Sequence, residues 1–284
     1  MKTEIISLSD QAEIIKTDLG DGEMTWRKWS CPQSEQPPVI LLHGGFGSWT
    51  HWIKTIPNLM SSATVIAADL PGLGDSDDVM RPHTVEKLSD ILVQGIDEVL
   101  DANETFHLVG FSFGGLLASH VAAAFGEQCL TFTAVGASGF GALHYRVDGI
   151  KRPDPDMSDE DAEKVHRNNL HRLMLADPKT ADDLAIYIHR TNVARGRIKS
   201  RSMSLSDGLC RALPDVKARI GGIWGELDAT GGGLAAIRER EKIFQSHQPQ
   251  APFDVIDGAG HWVMYEAPDV FNQTLRKHLN LLEV

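Results

Sequence analysis

The stretch FHLVGFSFGGLLASHVAAAF, residues 106–125, governs the reading of this chain. A short, mostly apolar run ends at Phe111, and an Ala- and Leu-rich run begins at Phe113. Between them stands Ser112, with Gly110 and Gly114 two residues away on either side. A strand that passes directly into a helix through G-x-S-x-G forces its serine into strained backbone angles. Glycine is required at 110 and 114 because a Cβ there would strike the neighbouring strand or helix. Ser112 Oγ is therefore expected at the carboxyl edge of a sheet. It stands above the N-terminus of the helix that starts at Phe113, where the helix dipole favours negative charge. A second serine, Ser138 in GASGFG, lacks the spacing and reads as a Gly-rich strand exit.

Outward from this stretch the pattern repeats. Short apolar runs at Met24–Cys31, Pro38–Leu42, Thr64–Ala68, Phe106–Phe111, Leu130–Val135, Ile220–Trp224 and Phe253–Ile256 read as strands. Continuous apolar character marks strands buried on both faces. Between them lie helix candidates at His51–Ser61, Thr84–Leu100, Phe113–Phe125, Leu234–Gln245 and Pro268–Leu282. The alternation predicts an α/β fold with a mostly parallel, twisted eight-stranded sheet and helices on both faces. From Leu143 to Leu213 no strand is legible. Ser158 followed by Asp161 opens a helix there as a capping-box variant, a second helical run follows Pro178, and the basic segment RGRIKSR covers Arg195–Arg201. The expected division is thus a core of residues 1–142 and 214–284 with a helical cap, 143–213, lying over the sheet's carboxyl edge. Apolar cap residues such as Leu170, Leu173, Met174, Leu184 and Ile188 need a surface to cover, and the pocket mouth supplies one.

An unassisted serine hydroxyl is a weak nucleophile and needs a base that titrates near neutrality, which histidine provides. Of twelve histidines, His261 lies in GAGHW (258–262), just past the last apolar run and so at the same sheet edge as Ser112. Asp228 ends the preceding strand region in WGELD (224–228) and is expected to orient His261. Glu226, two residues earlier, reads as a loop brace. The backbone N–H of Phe113 and that of Gly45, with Phe46 as the alternative to Gly45, are expected to hold a developing oxyanion. Three glycines in HGGFG (43–47) leave that loop free to turn its N–H groups inward. His43 reads as an organiser of the loop, and His51 as local structure at a helix start, with a place in the pocket lining as the alternative. His166, His171 and His189 read as residues of a solvated helical face. Phe46, Trp49, Trp262 and Arg190 are expected to line the substrate pocket, and ATGGG (229–233) is expected to be a mobile loop.

The bulk numbers set limits. The formal net charge of −12 disfavours nucleic acid and anionic membranes as partners. Three scattered cysteines permit no disulfide framework and no zinc site, so no metal and no other cofactor is expected. Acids interrupt the N-terminal residues where a signal peptide needs an apolar core, and no run is long enough to span a membrane. The expected location is the cytoplasm, and the expected partner is a small-molecule substrate of a monomer or homodimer.

HGGFGS, DLPGLGDSD (69–77), GFSFGG, WGELD and GAGHW stand in an order and spacing that resemble the α/β-hydrolase superfamily over essentially the whole chain. His-Gly-Gly and Gly-His-Trp are similar to the meta-cleavage-product C–C hydrolases, and also to esterases and enol-lactonases. The resemblance implies that Asp69, Gly72 and Gly74 shape a loop beneath the site. It also implies a Ser112–His261–Asp228 hydrolase acting on an ester, a lactone or an activated C–C bond. Perhydrolase, lyase and ligand-receptor functions are the alternatives on the same fold. For C–C cleavage a carboxylate must be held beside the reacting ketone, and Arg190, Arg195, Arg197 and Arg201 are the candidates for a clamp.

Overall fold

The computed structural model describes residues 2–143, 145–154 and 156–281. Its single sheet contains β1 (Glu13–Asp18), β2 (Glu23–Trp29), β3 (Val39–Leu42), β4 (Val65–Asp69), β5 (Phe106–Phe111), β6 (Cys129–Val135), β7 (Arg219–Gly225) and β8 (Phe253–Ile256). The spatial order is β1-β2-β4-β3-β5-β6-β7-β8. The β1–β2 and β2–β4 pairs are antiparallel, and the pairs from β4 through β3 to β8 are parallel. This is the expected mostly parallel α/β sheet. Helices α1 (Lys2–Ser9), α2 (Ile56–Leu59), α3 (Val85–Val99), α4 (Phe113–Phe125), α5 (Asp159–Asn169), α6 (Asp183–Arg195), α7 (Arg201–Ser204), α8 (Gly208–Ala212), α9 (Leu234–His247), α10 (Val263–Glu266) and α11 (Pro268–His278) complete it.

The apolar strands divide by parity. Ile40 and Leu42 face one apolar cluster, with Ile66, Ala68 and Leu108, while Val39 and Leu41 face the other, with Val65, Ala67 and Val109. Side chains alternate across a strand, so a continuous apolar run supplies two cores at once. Helix α3 shows the matching helical logic: Val85, Leu88, Leu92, Ile96 and Val99 are buried at three- and four-residue spacing. Thr84 caps it, accepting from the Lys87 N–H at 3.2 Å.

Three expectations change. Strand β1 went unread because EIIKTD is polar and mostly exposed, as suits an antiparallel edge. The helix expected over His51–Ser61 is a 3-10 turn at Trp49–Trp52 followed, after a turn at residues 53–55, by the short α2, with Pro57 in its first turn. The last helix stops at His278 rather than Leu282, which lies outside the described residues.

Between β6 and β7 the described residues form helices and turns but no strand. Ser158 caps α5 as read, its Oγ accepting from the Asp161 N–H at 3.2 Å. The two ends of this insertion pack differently. Leu170, Met174, Ile186 and Ile188 join the apolar cluster that holds Trp52, Phe111 and Trp262. Met203, Leu209 and Leu213 join the opposite cluster against α4. The segment 143–213 is therefore stitched into both cores.

Glycine 114 shows how tightly α4 lies on the sheet. A Cβ there would sit 2.3 Å from the His43 carbonyl oxygen and 2.6 Å from that of Leu42. Gly114→Ala should therefore force backbone apart. The expected cost is about 2 kcal/mol and a Tm lower by several degrees. Calorimetry checks it; an unchanged Tm would show that the contact can relax freely.

Candidate active site

At the carboxyl end of β5 the backbone of Ser112 takes φ 52° and ψ −115°. The Ser112 N–H donates to the Val135 carbonyl at 2.9 Å, and its own carbonyl accepts from the Ser138 N–H at 3.1 Å. Ser138 thus helps fix the turn. Gly110 packs against α4 so closely that a Cβ would lie 2.6 Å from the Gly114 carbonyl oxygen. The turn holds Ser112 Oγ 3.0 Å from His261 Nε2.

His261 comes from the loop after β8 and is 3% exposed, its ring lying against that of Phe111 with centroids 4.9 Å apart. Its Nδ1 lies 2.8 Å from Asp228 Oδ2. A carboxylate only accepts, so Nδ1 carries the proton and Nε2 offers its lone pair to the Ser112 hydroxyl. Asp228 Oδ1 accepts from the Thr230 N–H at 2.7 Å and from the Thr230 hydroxyl at 2.8 Å. Burial alone would raise the Asp228 carboxyl, but the adjacent His261 and the hydrogen bonds from His261 and Thr230 hold it below its ordinary value. The ATGGG loop expected to be mobile is tied down instead: Arg240 donates to the Gly231 carbonyl at 2.7 Å, and Thr230 is bound to Asp228. Glu226 braces its neighbour loop by accepting from the Gly258 N–H at 2.9 Å.

The glycine loop after β3 closes the other side. His43 accepts from the Leu70 N–H at Nε2, 2.9 Å, and donates from Nδ1 to the Gly44 carbonyl at 2.7 Å. Asp69 accepts from the Trp49 N–H at 2.7 Å and pairs with Arg27 at 3.0 Å, beneath the site. The Gly44 N–H donates to His51 Nδ1 at 3.3 Å. The N–H groups of Gly45, Phe46 and Phe113 have no acceptor among the described residues. All three line one cavity with Ser112 and His261, about 510 Å³ in volume.

Of the expected pocket residues, Phe46 lines this cavity and three do not. Trp49 is turned away by the 3-10 helix onto Trp29, 5.6 Å between centroids, under the Arg27 guanidinium. Trp262 is 1% exposed, stacked on Tyr265 and donating its indole N–H to the His51 carbonyl at 2.8 Å. Arg190 points outward to Asp159 at 2.6 Å. Among the apolar cap residues, Leu173 and Met174 reach the cavity, while Leu170, Leu184 and Ile188 pack into the core beside it.

Two histidines, His166 and His189, were misread as residues of a solvated face. His51 and His189 both line the cavity. Burial, reinforced by His166, pushes His189 down to about 4. Burial, with His43, His189 and His261 nearby, pushes His51 well below its usual value. His166 is buried on α5 with its ring 5.3 Å from that of His189 on α6, not on a solvated face. The adjacent polar residues Glu163 and Arg167 had suggested solvent, but the 3.6-residue period turns His166 inward. A further missed residue is Glu266. It accepts from the Gly260 N–H at 2.6 Å and from the N–H groups of Ala176 and Asp177 at 3.0 and 2.7 Å.

Among known proteins, the Alpha/beta hydrolase family matches residues 39–274. The chain is 26% identical over 260 residues to the dihydrolipoyllysine-residue acetyltransferase component of the acetoin cleaving system of Pseudomonas putida. That match covers 85% of this chain and 64% of the relative, so the chain spans less than two thirds of that protein. It is 25% identical over 254 residues to the 2-hydroxy-6-oxononadienedioate/2-hydroxy-6-oxononatrienedioate hydrolase of Comamonas testosteroni, covering 84% of this chain and 86% of the relative. In structure it is similar to the 2-hydroxy-6-oxo-6-phenylhexa-2,4-dienoate hydrolase of Rhodococcus sp. strain RHA1. There the TM-score is 0.72 at 20% identity, with 95% and 99% of the two chains covered, which is a likeness of fold.

Asp228→Asn keeps the shape of the carboxylate but lets the wrong tautomer of His261 form. The expected result is a kcat on an activated ester lower by about 10⁴, with the Tm little changed. Glu226→Gln is the control. A larger kcat loss from it than from Asp228→Asn would mean that the orienting carboxylate is Glu226.

Proposed function

The chain belongs to the alpha/beta hydrolase family, and from that premise we propose that it is a serine hydrolase that opens an ester-type bond at an activated carbonyl of a small organic molecule. The supporting observation is the continuous chain Ser112 Oγ–His261 Nε2, 3.0 Å, and His261 Nδ1–Asp228 Oδ2, 2.8 Å, beside unpaired backbone N–H groups. Ser112 Oγ attacks the carbonyl as His261 Nε2 takes its proton. The imidazolium so formed is balanced by Asp228, and the oxyanion is held by the N–H groups of Phe113 and of Gly45 or Phe46. His261 then returns the proton to the leaving group, and a water activated by the same nitrogen releases the acyl group from Ser112. Leu173 and Met174 roof the cavity and exclude bulk water from these steps.

Cleavage of an activated C–C bond is a second reading, favoured by the likeness to the Comamonas testosteroni hydrolase. It calls for a carboxylate clamp, and Arg190, engaged with Asp159, is not that clamp.

Ser112→Ala should lower kcat by about 10⁶, because members of such a unit act together. A fluorophosphonate should label the wild type at Ser112 and leave the variant unlabelled, by intact mass. Near-normal turnover by the variant would end the proposal. A panel of p-nitrophenyl esters run beside a vinylogous 1,5-diketone acid separates the two readings.

A further inference from the structure

The chain carries 39 acidic and 27 basic residues, yet every Asp, Glu, Lys or Arg lining the Ser112 cavity is basic. They are Arg146, Lys151, Arg152, Lys199 and Arg201, all exposed, while Ser112, His51 and the glycine loop lie deeper. They form the rim rather than the floor.

The rim is built from two arms, residues 145–152 and 199–201. On the side of the acid, the Tyr145 N–H donates at 3.1 Å to the carbonyl of Thr230, the residue that binds Asp228. Farther along this arm, buried Asn169 holds the Lys151 backbone at both ends, accepting from its N–H at 3.1 Å and donating to its carbonyl at 2.7 Å. On the oxyanion side, Ser200 sits between Lys199 and Arg201 and stands over Gly45, where a Cβ would meet the Ser200 hydroxyl at 2.5 Å. Both arms are thus held to the catalytic floor.

Other arginines of the insertion are already engaged. Arg190 pairs with Asp159, Arg195 with Asp75, and Arg197 donates to the Ser76 carbonyl. Among the described residues Lys151, Arg152, Lys199 and Arg201 have no carboxylate partner, and Arg146 has only the exposed Asp148 at 3.3 Å. A cleft lined by one sign of charge focuses its field, and a guanidinium or ammonium without a partner is a ready donor to a carboxylate.

We infer that the cavity mouth is a carboxylate-binding subsite, so that the substrate is an organic acid whose carboxylate lies outside the scissile carbonyl. Placing the scissile bond rests on the reading of Ser112 as nucleophile; the charge of the mouth does not. Such a substrate enters with its carbonyl on Ser112 and its carboxylate between the two arms.

The test compares p-nitrophenyl hydrogen adipate with the neutral p-nitrophenyl heptanoate, each corrected for spontaneous hydrolysis. An apolar cavity in an acidic protein would favour the heptanoate. The inference expects kcat/KM for the adipate ester to be higher by about tenfold at low ionic strength, with the gap closing as salt is raised. Lys199→Gln with Arg201→Gln should drive the ratio toward one. A heptanoate preference at every ionic strength, or a ratio unmoved by the double variant, overturns it. Fluorophosphonate labelling and heptanoate turnover without an adipate preference would remove the anion subsite and leave the serine hydrolase. If Ser112 is unlabelled and neither ester is cleaved, the nucleophile reading fails. Titration calorimetry with adipate on the wild type and the double variant then decides the subsite alone: binding lost in the variant supports it, and equal or no binding overturns it.

Discussion

The constraint on which this molecule turns is the single residue in which β5 becomes α4. Serine at φ 52° is a conformation that costs of order 1–3 kcal/mol, and it persists only where the surroundings over-determine it. Here they do. The Ser112 N–H is held by Val135, and its carbonyl accepts from Gly115, Leu116 and Ser138. The sheet neighbours β3 and β6 lie on either side of β5, so the turn cannot relax sideways. The glycines at 110 and 114 are consequences of the same tightness. What the strain achieves is direction: the hydroxyl stands off the sheet edge, where loops from β7 and β8 can reach it.

That reach is itself controlled by Glu266. Its carboxylate takes the N–H of Gly260, one residue before His261, together with those of Ala176 and Asp177 in the insertion. The Trp262 N–H donates to the Met174 carbonyl at 2.7 Å, on the other side of the same histidine. Base and roof are therefore positioned by shared hydrogen bonds. Movement of the segment around Met174 would drag on the backbone at His261. The segment expected as a helical cap is thus hydrogen-bonded to the loop of His261, while its far end at Leu209 packs in the cluster that holds α4.

Much of this was legible in the sequence, and the boundary has a physical cause. Strands β3 to β7 announce themselves because both faces are buried, so their apolar runs need no phase. Residues Ser112, His261 and Asp228 were legible from their positions relative to those strands. Strand β1 was not, since one polar edge strand resembles a loop. Trp49 and Trp262 were misplaced because residue type and proximity in sequence do not say which way a short 3-10 turn or loop points a ring. Arg190 was misplaced because its partner, Asp159, is 31 residues away on another helix. His51 and His189 reach the cavity from a turn and from α6, and no motif marks them. Glu266 escaped notice because its work is done on backbone N–H groups, which leave no mark in a sequence.

The treatment of charge by depth ties these pieces to chemistry. Beneath the floor, Arg27 is paired with Asp69. At the floor, burial keeps His43, His51 and His189 toward the uncharged form. At the rim, Lys151, Arg152, Lys199 and Arg201 are exposed and have no carboxylate partner among the described residues. In the proposed mechanism His261 becomes positive, and a neutral floor favours that step. A charged His51 beside it would oppose that step by direct repulsion, and the opposition would be strongest in a site shielded from water. His51 is held against charging twice over, by its burial and by the Gly44 N–H that occupies its Nδ1 lone pair. The same hydrogen bond takes up the Gly44 N–H, so the donor proposed from this loop is Gly45 or Phe46. One contact thus bears both on the charge beside His261 and on which N–H groups of the glycine loop stay free among the described residues.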